Sequence, residues 1–320
     1  MHVSVIVPLF NKAPYITRAL DSIANQTFKD FEIIVVDDGS TDDSRVRASA
    51  HPDSRIRVLS QTNAGPGAAR NRGIAEARGE LLAFLDADDE WLPDYLATGV
   101  RTFEEQGHYL ATTTCGYIEF PRGLSTLPIW QKRGIIAGVQ RVSPATSPVL
   151  LSYMLAYMSP WSTLARAEIV RKYGGFYDKR GSTFGEDSIL WLKVLLNERV
   201  HFGLEPLACF HREASGLSGN YTCARPIEPF LINPAEVASV CPDRLLQLLW
   251  DVYAVRACKT ASMLGYWGQW RDARSLLHTF VTWSDWCLPY FATAWVGSTP
   301  IGGAMARIIR RTQLSRRIIV

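Results

Sequence analysis

Four mainly apolar segments in the first part of the chain have the length and continuity of strands. They cover residues 3–8, 31–36, 56–59 and 81–85. Continuous apolar runs of this length are typical of strands that are buried on both faces of a parallel sheet. Helical spacing predicts helices over 13–25 and 66–77 between them. This alternation predicts an α/β fold with a doubly wound, mostly parallel sheet.

Acidic residues follow two of these segments directly. Asp37 and Asp38 come after the second strand, and Asp86, Asp88 and Asp89 come after the fourth. Ligands of open α/β sheets bind at the carboxyl ends of the strands. Clustered carboxylates repel one another unless protons or a cation relieve the repulsion, and hard divalent cations share carboxylate ligands with phosphates. The pattern therefore predicts a metal and diphosphate site, and the alternative is that these acids cap the helices that follow.

The rest of the chain follows other patterns. Residues 111–230 are less regular, although Gly174 and Gly175 predict a helix end and a turn. A strongly apolar helical pattern begins after Gly185, and the chain reads as helical throughout from about residue 235. We therefore expect the sheet domain to be followed by a helical C-terminal extension.

Composition narrows the class of protein. With 320 residues, 47% hydrophobic and 20% charged, the chain can fold around a sizeable core. A net charge of +3 gives no reason to expect nucleic acid as a partner. The six cysteines are scattered without a Cys-x-x-Cys pair, which argues against a zinc site and favours a cytoplasmic location. The first apolar run stops at Pro8, so no secretory leader is visible.

The C-terminal segment, residues 283–320, combines aromatic residues with a basic tail. Aromatic side chains from Trp283 to Trp295 precede five arginines, which are Arg307, Arg310, Arg311, Arg316 and Arg317. Such a combination is typical of peripheral contact with a membrane surface. Pro289 and Pro300 argue against a spanning helix. A helix packed on the catalytic domain is the alternative.

Several motifs together resemble the family 2 glycosyltransferases. They are Pro8, Asn11, Asp37-Asp38-Gly39-Ser40-Thr41-Asp42, Asn63-Ala64-Gly65-Pro66-Gly67-Ala68-Ala69-Arg70-Asn71 and Asp86-Ala87-Asp88. The resemblance is dense over 3–93, thinner to about 215 and weak beyond. It implies a GT-A type fold with three parts. These are a nucleotide-sugar-binding half over 1–110, an acceptor-binding half over 111–230 and a helical extension over 231–320 that is a candidate for membrane association.

The resemblance implies inverting, metal-dependent transfer of a sugar from a nucleotide diphosphate to a hydroxyl group. Asp88 matches the residue that holds Mn²⁺ or Mg²⁺, and Asp86 is expected to face the ribose or the nucleotide. Asp187 matches the catalytic base, with Glu186 as the runner-up that could orient an acceptor hydroxyl. Because Asp187 stands at a predicted helix N-terminus, we expect a low pKa for its carboxyl group.

The nucleotide is expected to contact several further residues. Pro8 and Asn11 border its pocket, and Asp37 or Asp38 accepts a hydrogen bond from the base, with the family precedent favouring Asp38. The uracil and thymine rings carry an N–H group from which a carboxylate can accept a hydrogen bond. The expected donor is therefore a UDP-sugar, with a dTDP-sugar as the other candidate. The other residues expected to contact the nucleotide are Asn63, Gly67, Arg70, His211 and Arg212.

Arg70, the His211-Arg212 pair and two tryptophans each have more than one possible role. A helical arginine at position 70 could hold an Asp side chain or a phosphate bidentately, or it could be solvated. His211 and Arg212 are candidates for reaching the diphosphate, and the sequence leaves open which of them does so. A surface His211 with a neighbouring salt bridge is the alternative. Trp161 and Trp191 could stack on a sugar, although burial is the commoner role of tryptophan.

The expected acceptor is a saccharide or a lipid-linked saccharide, with cell-surface polysaccharide or glycan assembly as the setting. The sequence leaves the oligomeric state open. One rival function is a non-catalytic nucleotide-binding or scaffold protein with the same fold. A nucleotidyltransferase is less favoured, because residues 8–12 lack the glycine-rich loop of those enzymes.

Overall fold

The computed structural model describes residues 1–179, 182–216 and 224–305. The chain divides into two compact units, the first comprising Met1–Val142 and Tyr153–Gly219, and the second Ser143–Ser152 and Asn220–Val320. The functional division at residues 110 and 230 remains a prediction.

Four parallel strands form one half of the sheet in the first unit, as the apolar runs predicted. They are β1 (Val3–Leu9), β2 (Phe31–Asp37), β3 (Ile56–Ser60) and β4 (Leu81–Phe84). Their order is β3-β2-β1-β4, with Val3 of β1 beside Phe31 and Leu81. Because these strands are parallel and in register, their carboxyl ends meet at one edge of the sheet.

The other half of the sheet comes from the region that looked irregular in sequence. It contains β5 (Glu90–Trp91), β6 (Leu110–Phe120), β7 (Leu124–Ser125), β8 (Gly138–Gln140), β9 (Thr163–Arg166) and β10 (Arg199–His211). Strand β9 runs antiparallel to both β4 and β6, and β6 pairs in parallel with β10. Strand β6 is rich in threonine, and β10 has register shifts at Pro206. Both strands lack the continuous apolar pattern of the first half, so the sequence did not reveal them.

Helices cover the sheet in the first unit. They are α1 (Ile16–Ala24), α2 (Ser44–Ser49), α3 (Pro66–Glu76), α4 (Tyr95–Gln106), α5 (Leu127–Lys132), α7 (Ala167–Lys172) and α8 (Ser188–Asn197). Helix α6 (Pro148–Tyr157) has residues in both units. The helix predicted over 13–25 is confirmed in α1, where Ile16, Leu20 and Ile23 are fully buried.

The second unit is helical, as predicted. It contains α9 (Pro229–Ile232), α10 (Ala235–Ala238), α11 (Leu246–Tyr266), α12 (Trp270–Phe280) and α13 (Phe291–Gly297). A buried ion pair joins Arg256 of α11 to Glu228. Within the described residues, no helix is both long enough and apolar enough to cross a bilayer.

Candidate active site

The loop after β1 and the loop after β2 hold each other at the carboxyl edge of the sheet. Asn11, which has a left-handed φ of 50°, accepts a hydrogen bond from the Thr41 N–H at 2.8 Å. Its own backbone N–H donates to Ser40 Oγ at 3.0 Å. Pro8 lies in β1 beside Val36 of β2 and is half-buried. The structure thus brings together the residues predicted to border the nucleotide pocket.

Asp38 organises the loop that leads into α3. Its Oδ1 accepts hydrogen bonds from Gln61 Nε2 at 2.8 Å and from the Ala64 N–H at 2.9 Å, and its Oδ2 accepts from the Gly65 N–H at 2.8 Å. The Asn63 amide donates to the Asp38 carbonyl at 3.0 Å. Asp37 is buried next to it and accepts from the Ser40 N–H at 3.2 Å. Recognition of a base by either aspartate remains a prediction.

The three acids after β4 have different surroundings. Asp88 Oδ2 accepts a hydrogen bond from Lys12 Nζ at 2.5 Å, and the same ammonium group donates to the Ala214 carbonyl at 2.8 Å. Burial raises the pKa of Asp88, the charge of Asp86 adds to this, and Lys12 opposes it. Sequence reasoning missed Lys12, although it directly follows the Asn11 position of the motif.

Asp89 connects this edge to the other half of the sheet. It is buried, and its Oδ1 accepts a hydrogen bond from the His211 N–H at the end of β10 at 2.8 Å. Burial and the neighbouring acids raise its pKa well above the usual range. The expectation that Asp89 could cap the next helix is wrong, because α4 begins at Tyr95 after the N-cap residue Asp94.

Arg70 holds two carboxylates at once. Its Nη2 lies 2.6 Å from Asp86 Oδ1 and its Nη1 lies 2.6 Å from Glu186 Oε1. The side chain is only 4% exposed, so the solvated alternative is wrong. The predicted contact of Arg70 with an Asp side chain is confirmed, and its contact with a phosphate of the donor remains a prediction.

Helix α3 also fixes the segment that precedes α8. Asn71 accepts a hydrogen bond from the Phe176 N–H and donates one to the Phe176 carbonyl, both at 2.8 Å. A Cβ on Gly67 would lie 2.2 Å from the Tyr177 carbonyl oxygen, so only glycine allows this approach. Gly67 is therefore in a packing contact, and its predicted role toward the donor is not tested. The clamp by Asn71 was not predicted.

Asp187 occupies the N-cap position of α8, as the sequence predicted, but its pKa is not low. Its side chain makes no capping hydrogen bond, and the residue is half-buried. Burial, followed by the charge of Glu186, raises the pKa of Asp187 to about 7, although Arg70 opposes the shift. The prediction was wrong because burial beside acids outweighs the field of the helix N-terminus.

His211 and Arg212 are both engaged with acidic side chains. The His211 Nε2 lies 2.6 Å from Glu90 and its Nδ1 lies 2.9 Å from Glu213. Arg212 Nη2 donates to Glu119 at 2.7 Å. His211 also joins the acidic edge, because its backbone N–H donates to Asp89. Contact of His211 or Arg212 with a phosphate remains a prediction.

The predicted sugar-stacking tryptophans lie inside the protein. Trp191 is fully buried, and Trp161 is 8% exposed and stacks on Phe210 at 5.6 Å between ring centroids. These positions match the commoner, structural role of tryptophan.

The residues present fit a divalent cation that is shared with a substrate. Within residues 1–179, 182–216 and 224–305 there is no group of three or more His, Cys, Asp or Glu side chains able to hold a metal. A Mg²⁺-like ion is commonly held by one or two carboxylates together with substrate phosphates and water. The carboxylate oxygens of Asp88 suit that arrangement, because burial and the charge of Asp86 keep its pKa raised in spite of Lys12.

The fold and its acid-lined edge define a class, the GT-A type domain. The chain is similar to S. aureus TarS 1-349 in complex with UDP-GlcNAc, with a TM-score of 0.66 and 22% identity over 98% of this chain and 92% of the other. It is also similar to the mannosyltransferase PcManGT from Pyrobaculum calidifontis in complex with GDP-Man and Mn²⁺. There the TM-score is 0.52 and the identity 18% over 96% of this chain and 87% of the other. These similarities show the shared fold.

Sequence comparison identifies the family. Residues 4–162 match the profile of Glycosyl transferase family 2. The glycosyltransferase GlyA of Streptococcus pneumoniae is 44% identical over 225 residues, which cover 69% of this chain and 32% of GlyA. The chain belongs to glycosyl transferase family 2. It spans 21% to 33% of the length of the first four curated relatives that it matches.

Proposed function

We propose that this chain is an inverting, metal-dependent glycosyltransferase. Its donor is a nucleotide diphospho-sugar, with a UDP-sugar favoured over a dTDP-sugar, and its acceptor is a hydroxyl group of a saccharide or lipid-linked saccharide. The protein acts in the cytoplasm, and the transferred sugar becomes part of a cell-surface polysaccharide or another glycan. The observation that carries the proposal is the joining of Asp86, at the end of β4, to the Glu186-Asp187 pair by the buried Arg70.

In this reaction Asp187 takes the proton of the acceptor hydroxyl. The hydroxyl oxygen bonds to the anomeric carbon from the side opposite the leaving group, the bond from that carbon to the diphosphate oxygen breaks, and the nucleoside diphosphate departs. One displacement of this kind inverts the anomeric centre. A carboxylate with a pKa of about 7 suits the role, because a general base works best with a pKa near the operating pH.

On the donor side, Asp88 would hold Mn²⁺ or Mg²⁺. The bound cation would neutralise charge on the diphosphate. Lys12 and Arg18 already supply positive charge here, since Lys12 bonds to the Asp88 carboxylate and Arg18 Nη2 donates to the Asp88 carbonyl at 2.6 Å. The Mn²⁺ of PcManGT and the UDP-GlcNAc of TarS support the proposal by similarity of fold.

The decisive experiment separates chemistry from donor binding. We expect Asp187→Asn to lower the transfer rate by about 10²- to 10⁴-fold, the usual contribution of a general base, with unchanged affinity for UDP and Mn²⁺ by calorimetry. Asp94→Asn is the matched control, because Asp94 is also an N-cap aspartate but is exposed at α4. Near-normal turnover in Asp187→Asn would reject the assignment of the base.

A panel of UDP, dTDP, GDP and CDP sugars with Mn²⁺ tests the donor. Release of UDP or dTDP supports the proposed base recognition by Asp37 or Asp38, and preferential release of GDP contradicts it. Nucleotide binding without any release or transfer would support the non-catalytic alternative. Release of pyrophosphate from a nucleoside triphosphate would support the nucleotidyltransferase.

The proposal includes peripheral membrane contact through residues 283–320. Large apolar side chains at Trp283, Trp286, Ile301 and Met305 of the second unit are between 56% and 74% exposed. Such side chains favour the interface of a bilayer. The five arginines of the predicted basic tail lie outside the described residues. Within the same segment, α13 has a buried side that includes Phe291 and Ala294.

A further inference from the structure

The guanidinium of Arg70 forms a direct polar connection between two parts of the site that are far apart in sequence. One terminal nitrogen contacts Asp86 and the other contacts Glu186, both at 2.6 Å. Asp86 follows β4 on the donor side of the site, while Glu186 precedes the candidate base Asp187. The distance between these two acids is therefore set through one side chain.

The position of Arg70 is itself fixed from several sides. Its guanidinium lies 5.1 Å from the ring centre of Phe176, within reach of a cation–π contact. The next residue, Asn71, binds both the N–H and the carbonyl of Phe176. One turn earlier, Gly67 touches the Tyr177 carbonyl, and the Tyr177 N–H donates to the Glu186 carbonyl at 2.8 Å. These contacts keep the bridge in one geometry.

We propose that Arg70 is the positioning residue that holds Asp187 at its working distance from the donor side, acting through Glu186 and Asp86. This proposal rests on the proposed function, because it needs Asp187 as the base. It assigns Arg70 to the protein's own acids rather than to a phosphate of the donor. A bidentate arginine suits this task because its planar fork presents two donors with a fixed geometry.

The charges around Asp187 provide a readout that a purely structural role would not move. Glu186 on the same segment and Asp86 after β4 raise the pKa of Asp187, while Arg70 on α3 lowers it. Loss of the arginine charge should therefore shift the acidic limb of kcat/KM to higher pH. Loss of the Glu186 charge should shift the limb to lower pH.

The test uses Arg70→Met, Arg70→Lys and Arg72→Met with a UDP-sugar. Arg72 lies on the same helix, is 55% exposed and pairs with Glu76, so it is a matched control. We expect Arg70→Met to lower kcat by roughly 100-fold, the usual effect of misplacing a catalytic group, and to move the pH limb upward. Arg70→Lys keeps the charge but not the fork, so it should restore the limb and only part of kcat. Arg72→Met should match the wild type.

Glu186→Gln keeps the proposal testable if Arg70→Met does not fold. It keeps the shape of the Arg70 partner but removes the charge, so we expect a lower pH limb together with reduced kcat. An unchanged limb in Glu186→Gln, together with kcat within about threefold of the wild type in both Arg70→Lys and Glu186→Gln, would overturn the positioning role. Failure of the wild type to transfer from any donor would instead overturn the proposed function.

Discussion

Burial decides the chemical state of the acids at the carboxyl edge of the sheet. The pKa values of Asp88, Asp89 and Asp187 are all raised, in each case with burial as the largest cause and a neighbouring acid as another. A carboxylate in such surroundings gains from a proton or a cation. Lys12 at Asp88 already supplies one positive charge, so this edge of the protein favours positive partners.

These raised pKa values predict how stability depends on pH. A raised folded-state pKa stabilises the protonated folded protein, and this contribution is lost as pH rises through that pKa. Between about pH 5 and pH 7, where Asp187 is protonated in the folded protein but ionised in the unfolded chain, the metal-free protein should therefore show a falling thermal midpoint. Burial lowers the pKa of His201 from 6.5, so this residue acts in the opposite direction below about pH 6.5 and reduces the fall.

The measurement is thermal unfolding in chelator at both ends of that window. Asp187→Asn should show a smaller fall than the wild type, because its side chain does not titrate. Asp94→Asn should behave as the wild type does. A midpoint that rises with pH in the wild type would contradict the assignment of raised pKa values.

At the scale of elements, one face of α3 fixes the segment that carries the candidate base. Gly67, Arg70 and Asn71 lie three and four residues apart, so they share a side of the helix. All three contact the segment before α8. Gly67 allows the close approach of its backbone, Arg70 forms the ion pair with Glu186, and Asn71 both donates and accepts a hydrogen bond. The sequence motif that resembles a donor-binding loop thus also contains a structural clamp.

The close approach at Gly67 predicts the effect of adding a single methyl group. In Gly67→Ala the new Cβ would meet the Tyr177 carbonyl oxygen at 2.2 Å, so the segment has to shift. We expect a loss of about 1–3 kcal/mol in stability, as in other overpacked sites, and a fall in kcat larger than the change in donor KM. Denaturant unfolding and steady-state kinetics measure the two effects.

Ala75→Gly is the control for that variant. It exchanges the same two residue types at an exposed position of α3, where the expected cost is about 1 kcal/mol from helix propensity alone. Equal kinetics in the two variants would show that the clamp does not position Asp187.

At the scale of the whole molecule, we propose a separate function for each of the two units. In the first unit, β9 runs antiparallel between β4 and β6, and so joins the two parallel parts into one sheet. In the second unit, helices α11, α12 and α13 form the framework that carries the exposed aromatic and aliphatic residues. The proposed donor chemistry belongs to the first unit, and the proposed membrane contact belongs to the second.

Flotation with vesicles tests that contact on the full chain. We expect binding to anionic vesicles that weakens at high salt, because both apolar insertion and charge contribute. The double variant Trp286→Ser and Ile301→Ser should reduce binding by about tenfold or more, from the lost apolar burial. Ile232→Ser, at another exposed apolar position of the second unit, should bind as the wild type does. Equal flotation of the double variant would remove the proposal.

The sequence by itself determined the parallel half of the sheet, helix α1 and the place of the acids. Mainly apolar runs such as 31–36 are typical of strands buried on both faces, and acids that follow parallel strands lie at the carboxyl edge of the sheet. The family resemblance added the expected chemistry of Asp88 and Asp187. Local pattern was sufficient for these features because each depends on neighbours in the chain.

Only the tertiary structure decided the partners and the pKa values. Arg70 meets Glu186 across 116 residues, and Asp89 meets His211 across 122. The pKa of Asp187 follows from its burial beside acids, which no helix pattern displays. Strands β6 and β10 became visible only through their pairing, since their own residues alternate poorly. Long-range contact and desolvation are properties of the folded chain, so the sequence could name the acids but not their state.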